Sequence, residues 1–251
     1  MMNNKAAENI ILNRTKIKII EAAEKLFAEK GIDKVSTREI AREAGQRNHS
    51  ALHYHFGSID EVINAIFNYR MIPVDDLRKY LFDEELKKTE DLSLRDLIYI
   101  LISPVAKKAL DPNEKNYFLK MLAQLLSRSE LRDQYLMHQN RLPNTTKVAS
   151  YLYKKLSSIQ GERIAFERLK MMGATIMITL AEWNLASQDE AFKKTRDNNT
   201  LFVRDNITFK DNQEIPLSDE EKIQNLLDYA VGAITQPSKL QSNKKTNIHK
   251  L

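Results

Sequence analysis

Residues Thr15 to Arg70 read TKIKIIEAAEKLFAEKGIDKVSTREIAREAGQRNHSALHYHFGSIDEVINAIFNYR, and the spacing of apolar residues and helix caps in this stretch decides the fold. Ile19, Ile20, Ala23, Leu26 and Phe27 recur at intervals of three and four, which predicts a helix with one buried stripe, closed by Gly31. Ser36 is followed three residues later by Glu39, a capping box in which each side chain satisfies one orphan amide, so a short helix is predicted from about Thr37 until Gly45 closes it. Ser58 and Glu61 repeat the spacing ahead of Val62, Ile63, Ile66 and Phe67. Between these lies a helix predicted over His49–Phe56, with Asn48 as its cap and Leu52 and Phe56, four apart, turned to the core.

Two short helices across a tight turn make a helix-turn-helix, whose later helix is free to enter the DNA major groove. Arg47, Asn48, His49, Ser50, His53 and Tyr54 precede or line that helix and are side chains that hydrogen-bond base edges or phosphates. Thr37 and Arg38, at the start of the preceding helix, are expected to hold phosphates, and Arg14 and Lys16 lie where a basic N-terminal arm would reach DNA. The segments AAEKLFAEKG, STREIAREAG and ALHYHFGS together resemble the DNA-binding domain of the tetracycline-repressor (TetR) family over roughly residues 13–72. Three positions depart from the usual family pattern: the turn Gly45-Gln46-Arg47-Asn48 is one residue longer, His53 stands where a tyrosine is usual, and Ile59 stands where a lysine is frequent. A phosphate contact at the start of the fourth helix is thereby left to backbone amides.

The 251-residue chain is long enough for such a head and a larger second domain. It contains no cysteine, which excludes disulfides and thiolate chemistry and fits a reducing cytoplasm. It has no 18-residue apolar run and no signal-peptide core, so a cytoplasmic protein without a membrane span is expected. The net charge of +5 suits a polyanion but does not argue for DNA by bulk: residues 1–71 hold eleven Lys/Arg against nine Asp/Glu, while 237–251 hold four lysines and no acid. The placement of Arg14, Lys16, Lys18, Thr37, Arg38 and Arg47 near helix starts carries that argument instead. No nucleophile elbow, Walker loop or dinucleotide fingerprint occurs, so no enzyme, no catalytic residue and no cofactor are expected. His49 and His53 have metal-chelating i, i+4 spacing, but no acidic or thiol ligand accompanies them, and no metal is expected.

The organisation that follows is all-α: a DNA-binding domain over 1–72 with an N-terminal arm at 1–13, a helical regulatory and dimerisation domain over 73–236, and a flexible tail over 237–251. Pro73 is expected to interrupt the connector, Ser93 or Asp91 to cap a helix that Pro104 kinks, and Ser129–Asn140 to form another helix. The stretch Gly161–Ser187 is apolar around nearly its whole girth. Residues 188–216 turn polar, which implies a lid or disorder, and Ser218 with Glu221 caps the last helix. The resemblance implies a homodimer and a ligand cavity in the second domain. Gly173, Ile176, Leu180, Leu227, Val231 and Ile234 are expected at a four-helix dimer interface. Leu101, Phe118, Met121, Leu122, Met172, Ile176 and Trp183 are expected to line the pocket, where thioethers suit an irregular apolar cavity. The reading is therefore a ligand-responsive transcriptional regulator, by family habit a repressor, binding a palindromic double-stranded operator as a homodimer and released by a small, largely apolar effector. The alternative is a DNA-binding protein whose helical domain docks a protein partner.

Overall fold

The computed structural model describes residues 4–48, 50–111, 117–128, 130, 142–188 and 217–238. Among these residues there is no strand, and nine α-helices follow one another: α1 (Asn4–Lys30), α2 (Thr37–Glu43), α3 (Ala51–Phe56), α4 (Ile59–Lys88), α5 (Leu94–Leu110), α6 (Phe118–Ser127), α7 (Pro143–Gln160), α8 (Glu162–Gln188) and α9 (Asp219–Thr235). The chain divides into two compact units, Met1–Pro73 with Glu114–Arg141, and Val74–Asn113 with Leu142–Leu251.

In the first unit, Ile19, Ala23 and Phe27 of α1, Ile40 of α2, Leu52 of α3, and Ile63 and Ile66 of α4 are fully buried, the stripe that the three-and-four spacing requires. Each of these isoleucine, leucine and phenylalanine side chains contributes about 1.5–3 kcal/mol against exposure. The Ser36–Glu39 capping box is complete: the Glu39 amide donates to Ser36 Oγ at 3.3 Å and the Ser36 amide to Glu39 Oε2 at 2.9 Å. The Ser36 amide, then Lys30 and the Ser36 hydroxyl, pull the Glu39 carboxyl down to about 2. The α2 helix ends in a Schellman motif, Gln46 N–H donating to Ala41 O and Gly45 N–H to Arg42 O, and Gly45 supplies the positive φ of 67° the motif needs.

The α6 helix belongs to this unit and packs on α1. Phe118 meets Phe67 of α4 edge-on at 5.3 Å, and Gln124 donates to the Ala28 carbonyl at 2.8 Å. Arg128 pairs with Asp33. At the centre sits Glu24, 1% exposed, whose carboxylate takes a two-pronged grip from Arg70 at 2.7 and 3.1 Å and the Tyr117 amide at 2.7 Å. Burial pushes the Glu24 carboxyl above its usual range, although Arg70 and the Tyr117 amide pull the other way.

In the second unit, Ser93 and Asp96 form a full capping box on α5, which packs against α7, α8 and α9. Asp75 of α4, 4% exposed, caps α7 from another helix: it accepts from the Asn144 amide and Nδ2 at 3.1 and 2.8 Å, and from the Thr145 amide and Oγ1 at 2.7 and 2.6 Å. Burial alone would raise this carboxyl, but the four donors hold it below its ordinary value. One turn on, buried Arg78 donates through Nε and Nη2 to the Leu101 carbonyl and through Nη1 to Thr145 Oγ1. Desolvation lowers the Arg78 guanidinium to about 10. Pro104 has no amide for the carbonyl one turn earlier, and helices open at such a turn; the carbonyl Arg78 grips lies in that turn. Gln160 and Arg168 donate to the Ile234 carbonyl at 3.0 and 2.8 Å, closing the end of α9 with a cation where the helix dipole favours one.

Several expectations change. From Asn4 the segment expected as an arm is the first turns of α1, since Lys5, Ala6, Ala7 and Glu8 are strong helix formers and no glycine or proline intervenes before Gly31. Pro73 does not interrupt α4, which runs unbroken through it. The carbonyl it orphans is that of Tyr69; Tyr69 and Pro73 both lie on the exposed side, where water replaces the lost bond. Pro143 occupies the first turn of α7, where a missing amide costs nothing. Of the helix expected at Ser129–Asn140 only Glu130 is among the described residues, and residues 189–216 and 239–251 lie outside them.

Candidate nucleic-acid interface

The α2–α3 turn is held by its own side chains. Asn48 Oδ1 accepts from the Ser50 amide at 2.9 Å and the Asn48 carbonyl from the Ala51 amide at 3.1 Å, so the chain is still turning at Ser50 and α3 starts at Ala51, later than His49. Asn48 thus shapes the turn through its oxygen, leaving Nδ2 free to donate. Leu52 is fully buried, which fixes the rotation of α3 and turns Ser50, His53 and Tyr54 outward, Tyr54 being 78% exposed. His53 Nδ1 lies 2.7 Å from the Gly57 carbonyl, and the Gly57 amide donates to the His53 carbonyl at 3.0 Å. Gly57 closes this clasp at φ 79°. The next helix starts with Ser58 Oγ accepting from the Glu61 amide at 3.2 Å.

Charge pairing in this unit is lopsided. Glu24 is tied to Arg70, Glu43 to Lys25 at 2.6 Å, Glu39 to Lys30 at 3.0 Å and Asp33 to Arg128. Exposed Arg14, Lys16, Lys18, Arg38, Arg42 and Arg47 have no ion-pair partner among the described residues. Four acids of the unit are thus tied to cations of their own, and the six exposed cations named are left for an outside anion. Arg42 is an addition to the residues read from the sequence; it lies four after Arg38, one helical turn on, and that spacing is the signal that marks it.

Arg14, Lys16, Arg38, Arg47, Asn48, Ser50, His53 and Tyr54 are all exposed in the first unit, and Thr37 is half-buried at the first turn of α2. His49 lies outside the described residues. His55 is half-buried; burial, and then the Lys16 charge, lower its imidazole, as for a ring packed at the base of the head. No group of three potential metal ligands occurs among the described residues.

The residues read as a pocket are divided between the units: Phe118, Met121 and Leu122 in the first, Leu101, Met172, Ile176 and Trp183 in the second. Of those read as a dimer interface, Ile176, Leu180, Leu227 and Ile234 are at most 6% exposed, and Gly173 and Val231 are half-buried. The faces of the same helices that remain open carry Met171, Ala174 and Ile178 on α8 and Tyr229 and Ala233 on α9.

Residues 19–66 match the family model described as bacterial regulatory proteins, tetR family. Among solved structures, the chain is similar to native NalD of Pseudomonas aeruginosa, described as the secondary repressor of the MexAB-OprM multidrug efflux pump, at 20% identity over 88% of this chain and 97% of that one, with a TM-score of 0.50. It also aligns with a TetR-family regulator described as putative from Mesorhizobium loti (18% identity, 73% and 97% covered, TM-score 0.43) and with Mycobacterium smegmatis AmtR (17%, 88% and 86%, 0.41). A comparison with curated proteins finds no match. No helix among the described residues is long and apolar enough to cross a membrane.

Proposed function

We propose that this chain, which belongs through residues 19–66 to the tetR family of bacterial regulatory proteins, is a DNA-binding transcriptional regulator that grips a palindromic operator as a homodimer and represses until a small, largely apolar effector releases it. The observation that carries the reading is the set of unpaired cations around α3, beside outward Ser50, His53 and Tyr54. Arg38, Arg42 and the α2 start at Thr37 take phosphates, and Arg47, Asn48 and the outer face of α3 approach base edges. Selection from a random duplex pool tests it. A palindrome should emerge, its affinity falling steeply with salt, and Thr37→Val should weaken all sequences alike. An Arg47→Ala change should cost roughly 1–3 kcal/mol at one base position. A pool that yields no enriched sequence refutes the reading.

The dimer is assigned to the open faces of α8 and α9, not to Ile176, Leu180, Leu227 and Ile234, which the subunit's own core consumes. Met171, Ile178 and Tyr229 are 61, 54 and 56% exposed, and Ala174 and Ala233 between them let helices approach closely. Ile178→Glu should therefore give a folded monomer in sedimentation. An apolar effector is favoured because the buried polar groups of the second unit are already engaged. Asp75, Arg78, Gln160 and Asn184 all have partners, and the hydroxyl of Ser157 is the one buried side-chain polar atom without one among the described residues. Effector affinity with and without operator should differ by about 1–3 kcal/mol; equal affinities would favour a protein partner on the second unit instead.

A further inference from the structure

The clasp at the end of α3 fixes what His53 can say to DNA. The Gly57 carbonyl can only accept, so the contact at 2.7 Å makes Nδ1 the donor. In a neutral imidazole the other nitrogen, Nε2, is then a bare acceptor, and it sits across the ring from the helix's own end. His53 is exposed, three residues after Ser50 on the outer side of α3, while Leu52 is sealed in the core. The ring is thus held in one orientation before any DNA arrives, and little rotamer entropy is lost when it binds.

We propose that His53 is a specificity-determining residue that accepts, through Nε2, a hydrogen bond from the exocyclic amine of an adenine or a cytosine in the major groove, and that it discriminates against guanine and thymine at that position. The inference rests on the operator-binding reading above and deepens it. The major-groove edges decide the choice: adenine N6 and cytosine N4 are donors, whereas guanine presents only N7 and O6 and thymine O4 and a methyl group. An acceptor facing guanine or thymine leaves two lone pairs opposed, with no proton between them. The cations around α3 supply affinity but read no amine, because Arg and Lys are donors only. Asn48, whose Oδ1 already accepts from the Ser50 amide, is likewise left to donate outward.

The test selects from a random duplex pool at pH 8, using the full chain as wild type, His53→Ala and His53→Gln. Wild type should enrich one base pair in one strand orientation at one symmetric position in each half-site, the exocyclic amine of its adenine or cytosine being the group read. His53→Ala should lose that preference, roughly three- to tenfold per half-site for one hydrogen bond, while every other position and the salt dependence stay. His53→Gln, which can both accept from N6 and donate to N7, should keep or restore adenine. In the wild-type site, a base analogue lacking only the exocyclic amine should weaken wild type by the same factor and leave His53→Ala unaffected. A wild type indifferent to loss of the exocyclic amine at the affected base pair, a uniform loss over all sequences in His53→Ala, or an unchanged consensus would each overturn the assignment while leaving operator binding intact. If wild type itself enriches nothing, the operator reading and this inference fall together.

Discussion

Among the described residues each compact unit holds one buried carboxylate, and the two are kept by different means. Glu24 in the first unit is paired with a guanidinium and one amide; Asp75 in the second accepts four hydrogen bonds from the opening turn of α7. Burial raises Glu24, while the donors lower Asp75. An ion pair brings a second charge that must also be desolvated, whereas helix-start amides are dipoles that need a partner whatever happens nearby. The first unit therefore holds its acid at a cost in desolvation, and the second gains from its acid outright.

Removing the acids should break the comparison most visibly. Glu24→Ala removes the carboxylate that the Arg70 guanidinium grips and should destabilise the protein by about 3–5 kcal/mol in urea unfolding, with Glu24→Gln recovering part of it through the Tyr117 amide. Asp75→Ala removes a cap and leaves buried amides unpaired, for about 2–4 kcal/mol, and hydrogen exchange should rise first at Asn144 and Thr145. By contrast Ser93→Ala, which breaks a cap built within its own helix and open to water, should cost about 1 kcal/mol. The smallest effect separates the acids by sign. As pH falls toward 4.5, folded Glu24 takes a proton before the unfolded chain does, so the penalty of its buried charge is relieved. Asp75 contributes stability above 3.8 that is lost as pH falls through its depressed value. Stability against pH should accordingly flatten above 4.5 in Glu24→Gln and below 3.8 in Asp75→Asn.

The same contrast explains which features the amino-acid sequence makes legible. The capping boxes Ser36–Glu39 and Ser218–Glu221 can be read from residue spacing because both partners sit within one turn. The rotation of α3 follows from Leu52, since apolar spacing is local as well. Asp75 capping α7 and Glu24 holding Tyr117 span 70 and 93 residues, and no local pattern marks either. For the same reason the sequence of α6 points to the second domain although the helix packs in the first unit: its apolar face shows that it packs, not on what. Apolar residues on several sides of α8 suggest a subunit interface at Ile176 and Leu180, but girth alone does not say which side the chain's own core takes. Pro73 reads as a break in the sequence and is none in the fold, because a proline's cost depends on whether its orphaned carbonyl meets water.

The first unit is discontinuous in the chain, and that has a consequence for synthesis. Residues 1–73 leave the ribosome well before Glu114–Arg141, yet the Tyr117 amide that completes the Glu24 site and the Phe118 ring against Phe67 belong to the later segment. A nascent helix-turn-helix must wait, with one hydrogen bond to its buried acid and one aromatic contact still missing, while about forty residues of the other unit are translated. At some 5–20 residues per second the wait lasts a few seconds, during which the growing chain is open to chaperones and proteases and has not yet built the whole of its DNA-binding unit.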